Sequence, residues 1–434
     1  IGVRLVGSEM CIRDRIVIVG GGQAAVSAAI RLRAGGFGGS LDILSEEPVL
    51  PYQRPPLSKA YLKGEFAENR MYLRPDTLYR EQGISMRLNT QALMIDQINS
   101  RVDTDKNTKI PYDKLILATG ATPRGLPDEI GGGLENVHTF RTIADANLLR
   151  DKVRPGQRLL VVGGGYIGLE MAAVAAGLGL EVTLVEVQER ILNRVAASET
   201  ADWFRELHLK HGVDLREGVG LRQLVSDGHH AVLAELSDGS AVGVDLVVVG
   251  SGVMANDGLA RDAGLTVRNG IVTDQHCRSF DPDIYAIGDC AVFPYRGEPT
   301  RLESVQNACD AGEYVADHIL GTTTCPYVPD PWFWSDQYDV SLKIAGLNRG
   351  YDRVLTRPGE REGSLSVWYF GQDRLLAVDA LNDPKSYMMG KRWLGQGLTP
   401  DTAALSDPNT PLKAVPTLIT PDLQPSFNTR ETQP

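Results

Sequence analysis

Two segments of this 434-residue chain repeat one pattern, and the repetition limits the fold more than any other feature. Residues 15–36 read RIVIVGGGQAAVSAAIRLRAGG and lead into SLDILSEE; residues 158–180 read RLLVVGGGYIGLEMAAVAAGLGL and lead into EVTLVEVQ. Each joins a short β-branched apolar run, a glycine turn, a helix rich in alanine and leucine, and a second apolar run ending in glutamate. Continuous apolar strands alternating with helices belong in parallel sheets covered on both faces. The architecture is therefore duplicated, with the first helix predicted over 23–34.

The glycines carry chemistry as well as shape. Gly20, Gly22 and Ala25 take the G-x-G-x-x-A places of a dinucleotide fingerprint, and Gly163, Gly165 and Gly168 repeat them. The first glycine permits the sharp strand-to-helix turn, the second lets backbone approach a pyrophosphate, and the third small residue keeps helix and strand close. The phosphates then sit at the positive helix end, where free N–H groups point at them. Glu46 and Glu186, ending the following strands, are the predicted acceptors of ribose hydroxyls. Glu186 is followed by Val187, Gln188 and Glu189, and the nearest arginine is Arg190, which predicts NADH over NADPH. Two dinucleotide sites in one chain imply electrons passing between a cofactor that stays and one that visits.

Composition narrows the partners. A formal net charge of −11 repels polyanions on average, which disfavours nucleic acid. No apolar run approaches the roughly 20 residues of a membrane span, and no secretory pattern opens the chain. The five cysteines form no C-x-x-C pair and no zinc spacing, as expected of scattered thiols in a reducing cytoplasm. The histidines (His138, His208, His211, His229, His230, His276, His318) form no triad or metal spacing and are read as structural. Residues 1–12 show no usable period and are expected to be a non-native or disordered leader.

Further strands are predicted at 114–120, 245–252 and 283–290, with a hairpin turn at Asp238–Gly239. Asp289 is expected to open a helix after its strand. Beyond Cys325 the pattern turns antiparallel, with a short helix near 384–396. The proline-rich stretch 405–434 is expected to be mostly mobile.

The motifs LPYQRPPLSKAYL (50–62), YLRP (72–75), LILATGATPR (115–124), GGGYIGLE (163–170), YAIGDC (285–290), RLESVQNA (301–308) and FWSDQY (333–338) follow one another along the chain. With both glycine fingerprints, they resemble the FAD-dependent pyridine-nucleotide reductases, specifically the oxygenase-coupled NADH:ferredoxin reductases. The resemblance runs from about Arg15 to about Pro411. It implies an α/β fold with two Rossmann-like dinucleotide-binding domains in the glutathione-reductase manner and a C-terminal α+β domain. The implied boundaries are 13–121 with 252–326 for FAD, 122–251 for NADH, and 327–404 for the third domain.

The resemblance also implies roles. Arg54, Lys59, Arg141, Asp289 and Val305 match positions that line FAD in relatives, and Ala24, Ala92, Tyr166, Ile167 and Gly252 complete the candidate cofactor contacts. Lys59 pairs with the residue matching Glu170 beside the ring. Trp332 or Trp334 is the aromatic expected near the ring and nicotinamide or at the acceptor face, with Trp334 favoured because it directly precedes Ser335-Asp336-Gln337, against the alternative of an ordinary core tryptophan. Relatives with a thiol relay carry cysteine in the region after the first ribose acid; here PYQRPPLSKAYLKG (51–64) has none, so the flavin must hand electrons out itself. The implied partner is a small acidic [2Fe–2S] ferredoxin docking through Arg74 and Lys343, with Lys391 and Arg392 as further candidates, on a monomer or homodimer. Two departures stand out. Glu313 occupies the place of the family's usual arginine, and VMAN (253–256) lacks the proline expected before Asn256. The rival readings are a reductase of a quinone or small organic acceptor, and an apoptosis-inducing-factor-like flavoprotein.

Overall fold

The computed structural model describes residues 14–419; the expected leader, 1–12, and the last part of the expected tail lie outside the described residues. The first glycine segment builds a five-stranded parallel sheet. Across it run Ile284–Ala286, Lys114–Leu117, Arg15–Val19, Ser40–Leu44 and Ile84–Arg87. The second segment builds another, in the order Asp214–Glu217, Glu181–Glu186, Arg158–Val162, Leu246–Val249, Val137–Thr139. All four residues of Leu246–Val249 are buried, the mark of a strand covered on both faces. In each sheet the glycine strand is central, so each glycine turn opens over the middle of its sheet.

The chain leaves the first sheet through Ala121–Pro123 and returns through Val253–Ala255, and these two crossings pair antiparallel. Asn256 locks the pair. Its amide donates to the Thr119 carbonyl at 2.9 Å and its side-chain oxygen accepts from the Thr122 hydroxyl at 2.7 Å. The backbone thus closes here without the proline that the motif comparison led us to expect.

The third unit is a five-stranded antiparallel sheet, Trp332–Gln337, Val340–Gly346, Arg374–Leu381, Leu365–Gly371, Arg353–Pro358, backed by the helix Pro384–Gly395. Its other face meets the helix Tyr166–Gly177, eight of whose twelve residues are buried. A helix buried on nearly all sides must satisfy any charge it carries, and this one carries Glu170.

Two expectations are corrected here. The tail is not loose up to residue 419: Thr402–Ser406 is helical, Leu412–Ala414 is a helical turn, and Thr417–Ile419 pairs with Leu398–Pro400. The cause is Arg357. This buried guanidinium donates to the carbonyls of Leu405, Asp407, Pro408 and Thr410, and the prolines shape turns whose oxygens converge on it. Asp289 does not open a long helix. It lies in the single turn Gly288–Cys290, and the long helix that follows is Val305–Ile319, capped by Ser304.

Candidate active site

The two glycine turns have the same construction. Gly20 adopts φ +121°, and a Cβ there would stand 2.1 Å from the Ala118 carbonyl oxygen; Gly163 adopts φ +110°, with a Cβ 2.6 Å from the Gly250 oxygen. Only glycine fits where one strand turns over its parallel neighbour. Gly168 is equally constrained, a Cβ lying 2.0 Å from the Gly163 oxygen. Gly22 and Gly165 differ, since nothing lies within 4 Å of a Cβ on either. Each precedes a helix whose N-terminus has no side-chain cap. Open space over free N–H groups and a positive helix end is a site for a diphosphate.

The acids differ between the units. Glu186 follows Val185, the partner of Val162; its carboxylate accepts from the Gly164 N–H at 2.7 Å and the Gln188 N–H at 2.8 Å. Arg190 is directed elsewhere, donating to the Ala196 carbonyl at 2.9 Å. In the first sheet Val19 pairs with Leu44, so the register equivalent of Glu186 is Ser45, not Glu46. Ser45 is buried beneath Gly21, while Glu46 is exposed, because a slip of one residue turns a side chain to the other face. Glu46 thus stands one residue beyond the register position of Glu186, with its carboxylate exposed at the end of the strand.

Glu47 is the acid that meets other predicted residues. Its carboxylate accepts from Arg54 at 2.7 Å and from the Tyr52 hydroxyl at 2.6 Å. Arg54 also donates to the Arg141 carbonyl at 3.0 Å, and the Arg141 guanidinium pairs with Asp289 at 2.7 Å. Arg54, Arg141 and Asp289 are thus brought into one polar cluster. Tyr52 belongs to it too, accepting from the Ile143 N–H at 2.9 Å. Glu47 and Tyr52 sit inside the same motif as Arg54, but nothing in their spacing announced the contact.

The helix Tyr166–Gly177 carries Glu170 to where all three units meet. Glu170 is 2% exposed; one carboxylate oxygen accepts from Lys59 Nζ and from the Ser58 hydroxyl, each at 2.7 Å, and the other accepts from the Ser335 hydroxyl at 2.7 Å. Lys59 keeps a fifth of its side chain accessible. The pair predicted from the motifs is therefore formed, and two serines that sequence reasoning missed complete the acceptor set.

Other candidates are placed less centrally. Trp334 lies on the face of its strand opposite Ser335 and Gln337, with its ring 5.4 Å from Trp332 and with Lys343 as its cross-strand neighbour. It takes no part in the Glu170 cluster. Tyr166 turns its side chain to the third unit: the ring is 5.0 Å from Phe333, and the buried hydroxyl has Asp379 and Tyr369 as electrostatic neighbours. Ile167 is exposed in the first turn of that helix, and Gly252 adopts φ +101° beside the Arg194 side chain. Ala24 is buried under Gly288 and Gly312, Ala92 opens a small meander strand, and Val305 is the first residue of its helix. Arg74 and Lys343 are both exposed.

Among the described residues no cysteine is a hydrogen-bond partner of Lys59 or Glu170, and the half-buried Cys309 has Gln23 and Ser27 of the first helix as neighbours. Cys277 and Cys290 are buried, and burial pushes both thiols up. Cys290, although next to Asp289, is directed at the carbonyls of Leu117 and Ile287. Among the described residues no group of histidine, cysteine and acid could hold a metal ion, and no helix is long and apolar enough to cross a membrane.

Comparison with known proteins gives this geometry its context. Residues 14–312 match the family model described as pyridine nucleotide-disulphide oxidoreductase, and residues 332–416 match one described as reductase C-terminal. The chain belongs to the pyridine nucleotide-disulphide oxidoreductase family. Within it, the chain is 41% identical over 396 residues to rhodocoxin reductase of Rhodococcus erythropolis, covering 90% of this chain and 92% of that protein. It is 38% identical over 408 residues to putidaredoxin reductase CamA of Pseudomonas putida, covering 93% and 96%. The covalent putidaredoxin reductase–putidaredoxin complex superposes with a TM-score of 0.89 at 38% identity, over 92% of this chain and 97% of that one. The second match ends inside the tail that Arg357 holds in place, so the ordered part of the tail belongs to the third unit.

Proposed function

We propose that this chain is a flavoprotein that takes hydride from NADH on FAD and passes electrons singly to a [2Fe–2S] ferredoxin serving a monooxygenase or dioxygenase. The observation that carries it is the presence of two uncapped glycine-turn helices, the second of which carries Glu170 in an ion pair with Lys59, with no cysteine among that pair's hydrogen-bond partners in the described residues. The cradles at Gly22 and Gly165 fit FAD in the first unit and NADH in the second, both as diphosphate sites. Bound FAD supplies acceptance of an electron pair and its release one electron at a time.

The chain's own residues then have defined tasks. The Gly20–Gly22 turn and its helix hold the FAD diphosphate, while the Arg54–Arg141–Asp289 cluster offers hydrogen-bond partners to its sugar chain. The Gly163–Gly168 turn holds the NADH diphosphate. Glu186, held by two backbone N–H groups, accepts from the ribose hydroxyls and repels a 2′-phosphate. Lys59, donating from Nζ to the Glu170 carboxylate, supplies positive charge at the junction of the units. Arg74 and Lys343 offer exposed positive charge to an acidic ferredoxin, and Trp334, next to Lys343, belongs to that acceptor face. Such rim charges tune encounter rate and specificity. The free thiols fit a cytoplasmic location.

The test is anaerobic titration of the FAD-reconstituted chain with NADH, followed by stopped-flow mixing with purified [2Fe–2S] ferredoxins and, separately, with quinones. Bleaching of the flavin and faster oxidation by a ferredoxin are expected. A chain that retains no FAD, or that quinones oxidise faster than every ferredoxin tried, overturns the proposal.

A further inference from the structure

The Glu170 carboxylate is the end of a longer buried chain of hydrogen bonds that leaves the site and crosses back into the second unit. Ser335 Oγ lies 2.7 Å from Glu170 Oε1, Gln337 Nε2 lies 3.2 Å from Ser335 Oγ, and Gln337 Oε1 lies 2.8 Å from His208 Nε2. His208 Nδ1 in turn lies 3.3 Å from the Tyr338 hydroxyl. Glu170, Ser335, Gln337 and His208 are each no more than 2% exposed. Only at Tyr338, on which the exposed His211 ring stacks at 3.7 Å, does the chain reach the surface.

The direction of every link follows from the carboxylate. An ionised carboxylate only accepts, so Ser335 must donate to it. Its single proton thus spent, Ser335 accepts from the Gln337 amide N–H. The Gln337 oxygen therefore faces His208 and accepts, which requires the imidazole proton on Nε2. Nδ1 is then an acceptor, and Tyr338 donates to it. Burial holds the His208 pKa down to about 4, so the ring is neutral near pH 7 and a single tautomer satisfies both neighbours. The opposite order is self-consistent too: His208 donates from Nδ1 to Tyr338, Gln337 turns its N–H to Nε2, and Ser335 donates to Gln337. That order leaves Glu170 Oε1 without a donor, which a carboxylate so deeply buried does not tolerate.

We propose that His208, Gln337 and Ser335 form a two-state polar relay in which the charge on Glu170 and the tautomer of His208 are coupled, with His208 as a positioning residue for the Glu170–Lys59 pair. The positioning role rests on the function proposed above; the coupling does not. His208 acts by holding the Gln337 amide in one of two orientations of equal shape. Without its Nε2–H donor the amide is free to turn, Ser335 can donate away from Glu170, and the carboxylate that faces Lys59 loses one of its three donors.

The experiment is a long-range ¹H–¹⁵N correlation spectrum of histidine-labelled, FAD-reconstituted full chain near pH 7, assigned with H208L. His208 is expected as the Nε2–H tautomer; the Nδ1–H tautomer overturns the relay. In E170Q the carboxamide oxygen stays with Lys59 and Ser58, its NH₂ donates to Ser335, and every later link reverses. His208 should then appear as Nδ1–H, and an unchanged tautomer overturns the coupling. S335A, a small buried change, cuts the relay while leaving Lys59 and Ser58 on Glu170, and should leave His208 as a mixture of tautomers; a single unchanged Nε2–H signal there also overturns it. For the positioning role, the flavin midpoint potential of H208L should fall below the parent's as Lys59 is held less firmly, and an unaltered potential overturns it. The tautomers are read whether or not NADH reduces the protein. A chain with the expected tautomers that NADH does not reduce thus refutes the function and leaves the coupling intact.

Discussion

Single residues hold the buried ion pair and, on the function proposed above, select the nucleotide. Glu186 accepts from two backbone N–H groups, which fixes its charge at the end of its strand, where the proposal sets it against a 2′-phosphate. E186R should raise the ratio of NADPH to NADH kcat/KM by about 10- to 100-fold, the worth of one or two charged contacts, as steady-state kinetics with both nucleotides will show. Lys59 is the only cation on the Glu170 carboxylate among the described residues. K59M leaves that carboxylate buried with hydroxyl donors alone and should cost about 3 kcal/mol of stability, read by thermal or urea denaturation. Replacing both partners, K59M with E170L, should recover most of that loss, since two apolar side chains need no counter-charge; flavin reduction by NADH should stay slow in both. The family resemblance implied this pair. It did not imply Ser58, Ser335, Gln337 or His208, because a hydrogen-bond partner that comes from another unit leaves no local signature. His208 in particular has no sequence context that separates it from the other histidines.

At the scale of elements, the crossing of the helices Gln23–Ala34 and Val305–Ile319 sets where the first diphosphate cradle points. A Cβ on Gly312 would lie 2.6 Å from the Ala24 carbonyl oxygen and 3.0 Å from the Ala28 N–H nitrogen. Both are backbone atoms, so the helices themselves must move apart. G312A should lower stability by about 1–3 kcal/mol and weaken FAD retention, measured by differential scanning fluorimetry and by flavin release on dilution. Gly177 is a useful contrast: it ends its helix with nothing within 4 Å of a Cβ, and G177A should be neutral or stabilising by up to about 1 kcal/mol. The first helix, Gln23–Ala34, was legible to its ends, because its alanines and leucines follow a glycine turn and stop at a glycine pair. The placement of Ser45 beneath the glycine turn was not. A strand's end is uncertain by a residue or two in sequence, and one residue reverses the face of a side chain.

The whole molecule is held at the seam between the second and third units, where two buried titratable groups act in opposite directions. Thr200 donates to Asp379 at 2.8 Å, and Tyr369 donates to the same oxygen. Burial raises the Asp379 carboxyl to about 6 and lowers His208 to about 4. The folded chain therefore holds a proton on Asp379 that the unfolded chain gives up from about pH 4, so this group's contribution is present below that and is lost as pH rises through about 6. His208 has the opposite sign. Its contribution is present above pH 6.5 and is lost as pH falls through about 4. The two slopes oppose each other between about pH 4 and 6. Removing one should expose the other: relative to the parent, D379N should lose Tm more steeply on acidification across this window, and H208L less steeply. Thermal unfolding of the FAD-loaded proteins at half-unit pH steps tests both.

The order of strands and helices, the two glycine turns and the absence of a thiol pair from residues 51–64 were determined by the sequence, whereas the meeting of Lys59 with Glu170, 111 positions apart, was implied only by the family resemblance. Each of the first three rests on local chemistry or on a motif whose residues lie close together: a turn that only glycine can make, an apolar run that must be covered, a missing sulphur. The tertiary structure alone decided the rest. It set Ser45 rather than Glu46 under the first glycine turn, drew the proline-rich tail onto Arg357, and turned Trp334 away from the Glu170 cluster. It also carried a line of hydrogen bonds from Lys59 to His208 through all three units. These depend on strand register and on contacts between residues from about fifty to more than a hundred positions apart, and a buried polar group takes whichever partner the packed chain brings within reach.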